Sequence, residues 1–140
     1  MLDNLNNVFK MVYTLANVKH LDYEKYGLKE FSTSEEGLEK HINYKNTDNK
    51  KIVYVSELAL ENYLLTLEFE TIKIIQSIMY LGRDKKYNKK NKVEEIYSKG
   101  RKCFDENGWN SREVEVNQIA EKVCLDCYLL NGLKILEISI

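Results

Sequence analysis

Residues 69–82, Phe-Glu-Thr-Ile-Lys-Ile-Ile-Gln-Ser-Ile-Met-Tyr-Leu-Gly, decide the fold class. Phe69, Ile72, Ile75 and Ile78 recur at steps of three, and Met79 and Leu81 extend the same apolar side. That spacing predicts an amphipathic helix. The apolar stretch Ile72–Leu81 carries Lys73 and Gln76. It falls well short of the ~20 residues a bilayer requires. Gly82 is placed as the residue that closes the helix, because glycine tolerates the left-handed conformation found there.

Working upstream, Leu58, Leu60, Leu64, Leu65 and Leu67 support a preceding helix opened by Ser56. Thr66 either caps the next helix or lies within one long bent helix. Lys51–Val55 (KIVYV) is β-branched and aromatic, which suits a short strand or an extended lead-in. At the start of the chain Leu2, Leu5, Val8, Phe9, Val12, Leu15 and Ala16 form the stripe of a helix from about Asp3 to Lys19. Asp3 or Asn4 fits its N-cap. Residues 20–50 are less regular, with anchors at Tyr23, Tyr26, Leu28 and Phe31. Ser32 and Glu35 have capping-box spacing, which predicts a short helix through Leu38 and Ile42. Asn43–Lys50 reads as a polar, turn-rich loop, the expected place for a mobile segment.

Downstream, Arg83–Asn91 reads as a charged loop. Val93, Ile96, Tyr97, Cys103 and Phe104 mark a fourth helix, weakened at Gly100 and closed by Asn107–Gly108. Asn110 or Ser111 opens a fifth, whose apolar side carries Val114, Ile119, Val123, Cys124, Cys127, Tyr128 and Leu130, with Asn131–Gly132 as its end. Leu133–Ile140 is either a last helical turn or a strand pairing with KIVYV. The expectation is a single all-α domain spanning residues 1–140, with about five helices and at most a minor two-stranded accessory.

Composition agrees. Hydrophobic residues make up 44% and charged residues 31%, with six glycines and no proline. That is globular, and it lacks the breakers of an all-β sandwich. Lysine outnumbers arginine 18 to 3, and there are 14 asparagines. This is the bias of an AT-rich genome, such as a low-GC bacterium or its phages. No signal peptide is legible near Met1. Three cysteines without a secretory context point to reduced thiols in a cytoplasm.

The net charge of −1 is unevenly spread. Residues 83–102 hold nine basic residues against three acidic ones, a local +6 that leaves −7 for the rest. A near-neutral total argues against a dedicated nucleic-acid binder. The basic run offers partner-binding candidates: Arg83, Asp84, Lys85, Lys86, Tyr87, Lys89 and Lys90. Arg83 can satisfy the last helix carbonyls or pair with a carboxylate. It can equally meet a ligand. The lysines with Tyr87 are either a solvated loop, a grip on a phosphate backbone, or an electrostatic dock for an acidic protein. Trp109, at the junction of the last two helices, is either a plug for the bundle end or an exposed hot spot.

Catalytic signatures are missing. There is no Gly-x-Gly-x-x-Gly, P-loop, His-Glu-x-x-His or Gly-x-Ser-x-Gly. Cys124-x-x-Cys127 could chelate zinc or cycle as a redox pair. Its position late in a helix, on the apolar side, favours plain core packing. His20 and His41 have no partner at metal spacing and read as surface or capping residues. Glu57 with Glu61, and Glu68 with Glu70, read as solvated helix faces. No catalytic residue, metal ligand or cofactor is assigned.

Residues 67–84 resemble a helix of the bacterial family called domain of unknown function 3775, through an early acidic residue (Glu68 or Glu70) and the close on Leu81-Gly82-Arg83 with Asp84. Tyr128-Leu129-Leu130 followed by Gly132 resembles that family's C-terminal Tyr-Leu-Leu-Gly, and Val8, Met11, Val12 and Ala16 are compatible with its first helix. The chain departs from the family in having lysines at 85–92 where an acidic segment is usual, and in lacking a later proline. The resemblance implies a small all-helical domain and no activity.

The sequence therefore points to a non-catalytic protein-interaction module, a small regulator or a phage- or mobile-element-encoded inhibitor of a host defence system. The alternatives are a nucleic-acid-binding accessory using Arg83–Lys102, and a ligand-binding or enzymatic helical domain. A protein partner is expected, no membrane is, and a homodimer is compatible.

Overall fold

The apolar stripe starting near Leu2 becomes a short 3-10 turn, Asp3–Leu5, that leads into helix α1, Asn6–Tyr26. A computed structural model describes residues 2–26 and 48–140, with the side chains of Asp48 and Asn49 left aside. The expected helix through Leu38 and Ile42, most of the polar loop and His41 lie outside the described residues. Among the described residues five further helices follow: α2 Asp48–Leu65, α3 Phe69–Asp84, α4 Val93–Asn107, α5 Arg112–Ala120 and α6 Leu125–Ile135. The protein is a small all-α domain, and no strand occurs among the described residues. None of the described helices is long and apolar enough to cross a membrane.

Four expectations are corrected. KIVYV is helical, and Asp48–Lys50 already belongs to α2. Val53, Ser56, Leu60 and Leu64 are its buried positions, a helical spacing set by packing along α1. β-propensity yields to that shared core. Ser56 lies inside α2, where its hydroxyl donates to Asp22 on α1. Second, α1 continues past Lys19 to Tyr26, which puts His20 within the helix rather than beyond it. Third, α3 does not stop at Gly82. It closes at Lys85, which takes the left-handed conformation (φ 53°) and donates its backbone N–H to the Leu81 carbonyl at 2.9 Å.

Fourth, the long last helix is two helices. Ser111 caps α5, accepting from the Val114 N–H. The chain then breaks at residues 121–124, where no glycine or proline announces it. Lys19, almost fully buried, reaches from α1 and donates its Nζ to the carbonyls of Ala120 and Lys122. A cation on the last carbonyls of a helix satisfies groups that have no intrahelical partner. Burial holds the Lys19 pKa below its ordinary value, opposed by Glu57, Glu121 and Asp126. Arg112 does the same service for α2, donating to Leu65 and Leu67. α6 then runs through Gly132 to Ile135, and the tail Leu136–Ile140 forms no strand.

The core is assembled around α3. Ile72, Ile75, Ile78 and Met79 are fully buried, as are Leu125, Leu129 and Leu133 of α6 and Phe9 and Val12 of α1. Each such side chain contributes about 1.5–3 kcal/mol relative to exposure. Gly82 faces Tyr128 while Ile78 faces Gly132, so α3 and α6 cross antiparallel. A Cβ on Gly82 would fall on the Tyr128 carbonyl and the Gly132 nitrogen; one on Gly132 would fall on the Ile78 carbonyl. The two backbones touch because both crossing residues lack side chains. α4 lies at the edge of this assembly, against α3 only among the closer pairs of described helices, with Ile96 as its one buried residue joining the core.

Candidate interaction surface

The α3–α4 edge is held by aromatic rings and ion pairs rather than by a deep core. Tyr80 of α3 stacks on Phe104 of α4 with ring centroids 5.4 Å apart. Phe104 in turn meets Trp109 at 5.4 Å. The Arg83 guanidinium lies 4.3 Å from the Tyr80 ring centroid. Arg83, Tyr80, Phe104 and Trp109 are thus one continuous ladder, each contact within the range where ring and cation–π attraction operates.

Trp109 is half-buried and folds back along α4. Its indole Nε1 donates to Asp105 Oδ1 at 2.7 Å. Two cations face its ring: Arg101 at 5.5 Å and Lys73 at 5.8 Å. Arg101 is the hub of this corner. It donates to both Glu70 oxygens at 2.9 and 3.1 Å, to Asp105 at 3.0 Å and to the Tyr97 hydroxyl at 3.2 Å. The hydrogen bonds from Arg101 pull the Glu70 pKa down, while those from Trp109 and Arg101 pull Asp105 down. Burial pushes the Tyr97 phenol up.

Arg83 pairs with its neighbour Asp84, Nε to Oδ1 at 2.8 Å, which lowers the carboxyl pKa and raises that of the guanidinium. The following loop is shaped by Asn88, whose side chain accepts from the Lys90 N–H at 3.0 Å and whose carbonyl accepts from Asn91. Tyr87 turns inward against the core and anchors the loop. Lys85, Lys86, Lys89 and Lys90 are exposed, as are Lys92 and Lys99. Among the described residues none of these six ammoniums lies within ion-pair distance of a carboxylate.

Between the loop, α3 and α4 run two adjoining hollows of about 170 and 230 Å³. They share Lys86, Gly100 and Cys103, with Tyr80, Leu81 and Phe104 along one and Tyr87 and Ile96 along the other. Gly100 opens the floor: a Cβ placed there would meet nothing within 4 Å. The groove is mainly apolar, with Lys86 and Lys99 as its cations and Asp84 as its carboxylate.

The sequence singled out Arg83, the lysines and Trp109, and the structure brings them to one edge. Lys99 and Arg101 fall within the basic run 83–102 that the sequence marks out, whereas Tyr80 has no role there, Phe104 reads as the apolar side of a helix and Glu70 as a solvated face. A signal for part of this was available: Arg101 and Asp105 are spaced by four, which puts them on one face of α4, with Trp109 just beyond its end. The link from Arg101 to Glu70 spans two helices and has no local signature.

A second polar cluster corrects the view of His20 as isolated and of the cysteines as late in a helix. Cys124 is the N-cap of α6, half-buried, and Cys127 lies in its first turn, exposed. One ligand atom each from His20, Asp126 and Cys127 lies within 4.8 Å of the others.

No family model, no curated protein and no solved structure matches this chain.

Proposed function

We propose that the protein is a non-catalytic protein-interaction module whose α3–α4 edge docks an acidic, partly apolar segment of another protein. The observation that carries this reading is an apolar groove lined by Lys86 and Lys99, on an edge where six exposed lysines have no carboxylate within ion-pair distance among the described residues. Unpaired surface charge of one sign steers a partner of the other sign and speeds association. Apolar floor and aromatic ladder then supply the buried contacts that hold it, with Trp109 and Arg101 as residue types that dominate such interfaces. A small regulator, or a mobile-element-encoded inhibitor of a host system, acts in this way, by occupying a partner. The three free thiols fit a reducing compartment such as the cytoplasm.

The test is fluorescence anisotropy with labelled peptides rich in Glu and Asp around one or two aromatic residues. Binding is expected, falling with added salt. It should be lost both in the triple variant K86E/K89E/K90E and in Gly100→Leu, which fills the groove without touching charge. Equal binding by wild type and both variants defeats the proposal. The same lysines favour a second reading, a nucleic-acid accessory. It predicts a mobility shift with single-stranded DNA whose affinity falls linearly in log salt, with a slope reduced in the triple variant.

A further inference from the structure

We propose that His20, Asp126 and Cys127 form a binding site for a borderline transition-metal ion of the zinc type, pinning α1 to the start of α6. Imidazole nitrogen, carboxylate oxygen and cysteine sulfur come together within 4.8 Å of one another. Around a tetrahedral zinc ion, with bonds of about 2.0–2.3 Å, neighbouring donor atoms sit about 3.3–3.8 Å apart. Small side-chain adjustments close the difference. The mixed nitrogen, oxygen and sulfur set suits zinc or cobalt, whereas calcium and magnesium want oxygen alone.

The surroundings are those of a supported site. Asp126 is 3% exposed, and Asn17 donates to its Oδ2 at 3.0 Å. That bond holds the carboxylate with both oxygens facing His20 Nδ1, Oδ1 at 2.9 Å and Oδ2 at 3.1 Å. The other ring nitrogen, Nε2, lies 3.2 Å from Glu24 Oε1, one turn further along α1. A carboxylate behind a metal-binding histidine fixes its ring and raises its basicity. Each of the two less mobile ligands therefore has an outer partner already in place: Asn17 for Asp126 and Glu24 for His20. Cys127 faces solvent and gives the ion its way in, and Cys124 stands at the N-cap one turn before it.

The site joins residues more than 100 positions apart, so a bound ion stabilises only the folded chain. The experiment is a titration of the reduced, purified full chain with cobalt(II) alone, read by absorption, with zinc as competitor. Expected are one equivalent of cobalt, a thiolate-to-metal charge-transfer band in the near ultraviolet, and displacement of both by zinc. Cys127→Ser removes the charge-transfer band. His20→Gln weakens binding, and Glu24→Gln weakens it by about 10- to 100-fold while keeping the band. Cys103→Ser changes nothing. Because Cys127 is exposed, its serine variant should keep the wild-type circular dichroism, and zinc should raise the melting temperature of wild type but not of that variant. No band at stoichiometric cobalt, or a band that survives Cys127→Ser, overturns the proposal.

Discussion

Helix α3 is flanked by two contacts built on opposite principles. Toward α6 its backbone touches backbone, and Gly82 and Gly132 leave no room for a methyl group. Toward α4 it meets a helix with one buried residue, held by stacked rings and by Arg101. There a third glycine, Gly100, looks into open space. The first contact fixes the fold and tolerates no change. The second is adjustable, and the unpaired charge gathers around it. Tight, apolar packing carries the stability, and the weakly packed periphery is where a partner can be accommodated at little cost to the rest.

The glycines give the most direct way to break this comparison. Gly82→Ala and Gly132→Ala should each destabilise by about 3 kcal/mol, since a backbone rather than a flexible side chain must move. Urea unfolding followed by circular dichroism measures it. A wild-type midpoint in either variant would show that the α3–α6 crossing is not the rigid element described. Of comparable size are two matched truncations. Ile75→Ala, at a fully buried site of α3, should cost about 4 kcal/mol; Ile96→Ala on α4 should cost about 2 kcal/mol. Equal losses would mean that α4 belongs to the core after all.

How much of this the sequence carried depends on the range of the interaction involved. Helix α3 was legible because four apolar residues at steps of three encode their own burial. The end of α4 at Gly108 was legible too, as glycine there takes φ 86°. The split between α5 and α6 was not, because its cause is Lys19, about 100 positions away. Gly82 was read as a terminator from local chemistry, while its reason for being glycine lies in Tyr128 and Gly132 across the seam. Gly82 and the Tyr128–Gly132 stretch meet there, so in this chain they encode a helix crossing. In the candidate surface, Arg83, the lysines and Trp109 could be named from charge and rarity. Their convergence through Tyr80 and Phe104 needed the packing of two helices. The His20–Asp126–Cys127 cluster was missed for the same reason, with a helix break misplaced as well.

Of intermediate size is the service of Arg112. Replacing it with methionine keeps its length and removes the donors to Leu65 and Leu67. The end of α2 then loses its charge-assisted bonds, at about 2 kcal/mol. Smaller, and opposite in sign, is Gly100→Ala. The added methyl enters free space in a helix interior, so stability should rise by about 0.5–1 kcal/mol. Paired with the two losses at Gly82 and Gly132, this makes one substitution type a test of both sides of α3. A loss at Gly100 would mean that the edge is packed more tightly than its open floor indicates.

The smallest effect concerns the ion pair that ties α4 to α3. Arg101 holds the Glu70 carboxyl below its usual range, so the folded state favours the charged form. Such a group stabilises the fold above its unfolded pKa of about 4.3. That contribution is lost as pH falls through the lower folded value. The Glu70 side chain is 61% exposed, and pairs of this kind are worth a few tenths of a kcal/mol up to about 1. Glu70→Gln should therefore melt slightly below wild type at pH 7, and the gap should close as the pH is taken below about 4. Asp105 shares the same guanidinium, so Arg101 stays in place in the variant and the ladder to Trp109 persists. Core packing at the α3–α6 seam has no part in this titration. If the gap instead widened in acid, or if Glu70→Gln cost as much as Ile75→Ala, the α3–α4 edge would be bearing the fold rather than resting on it.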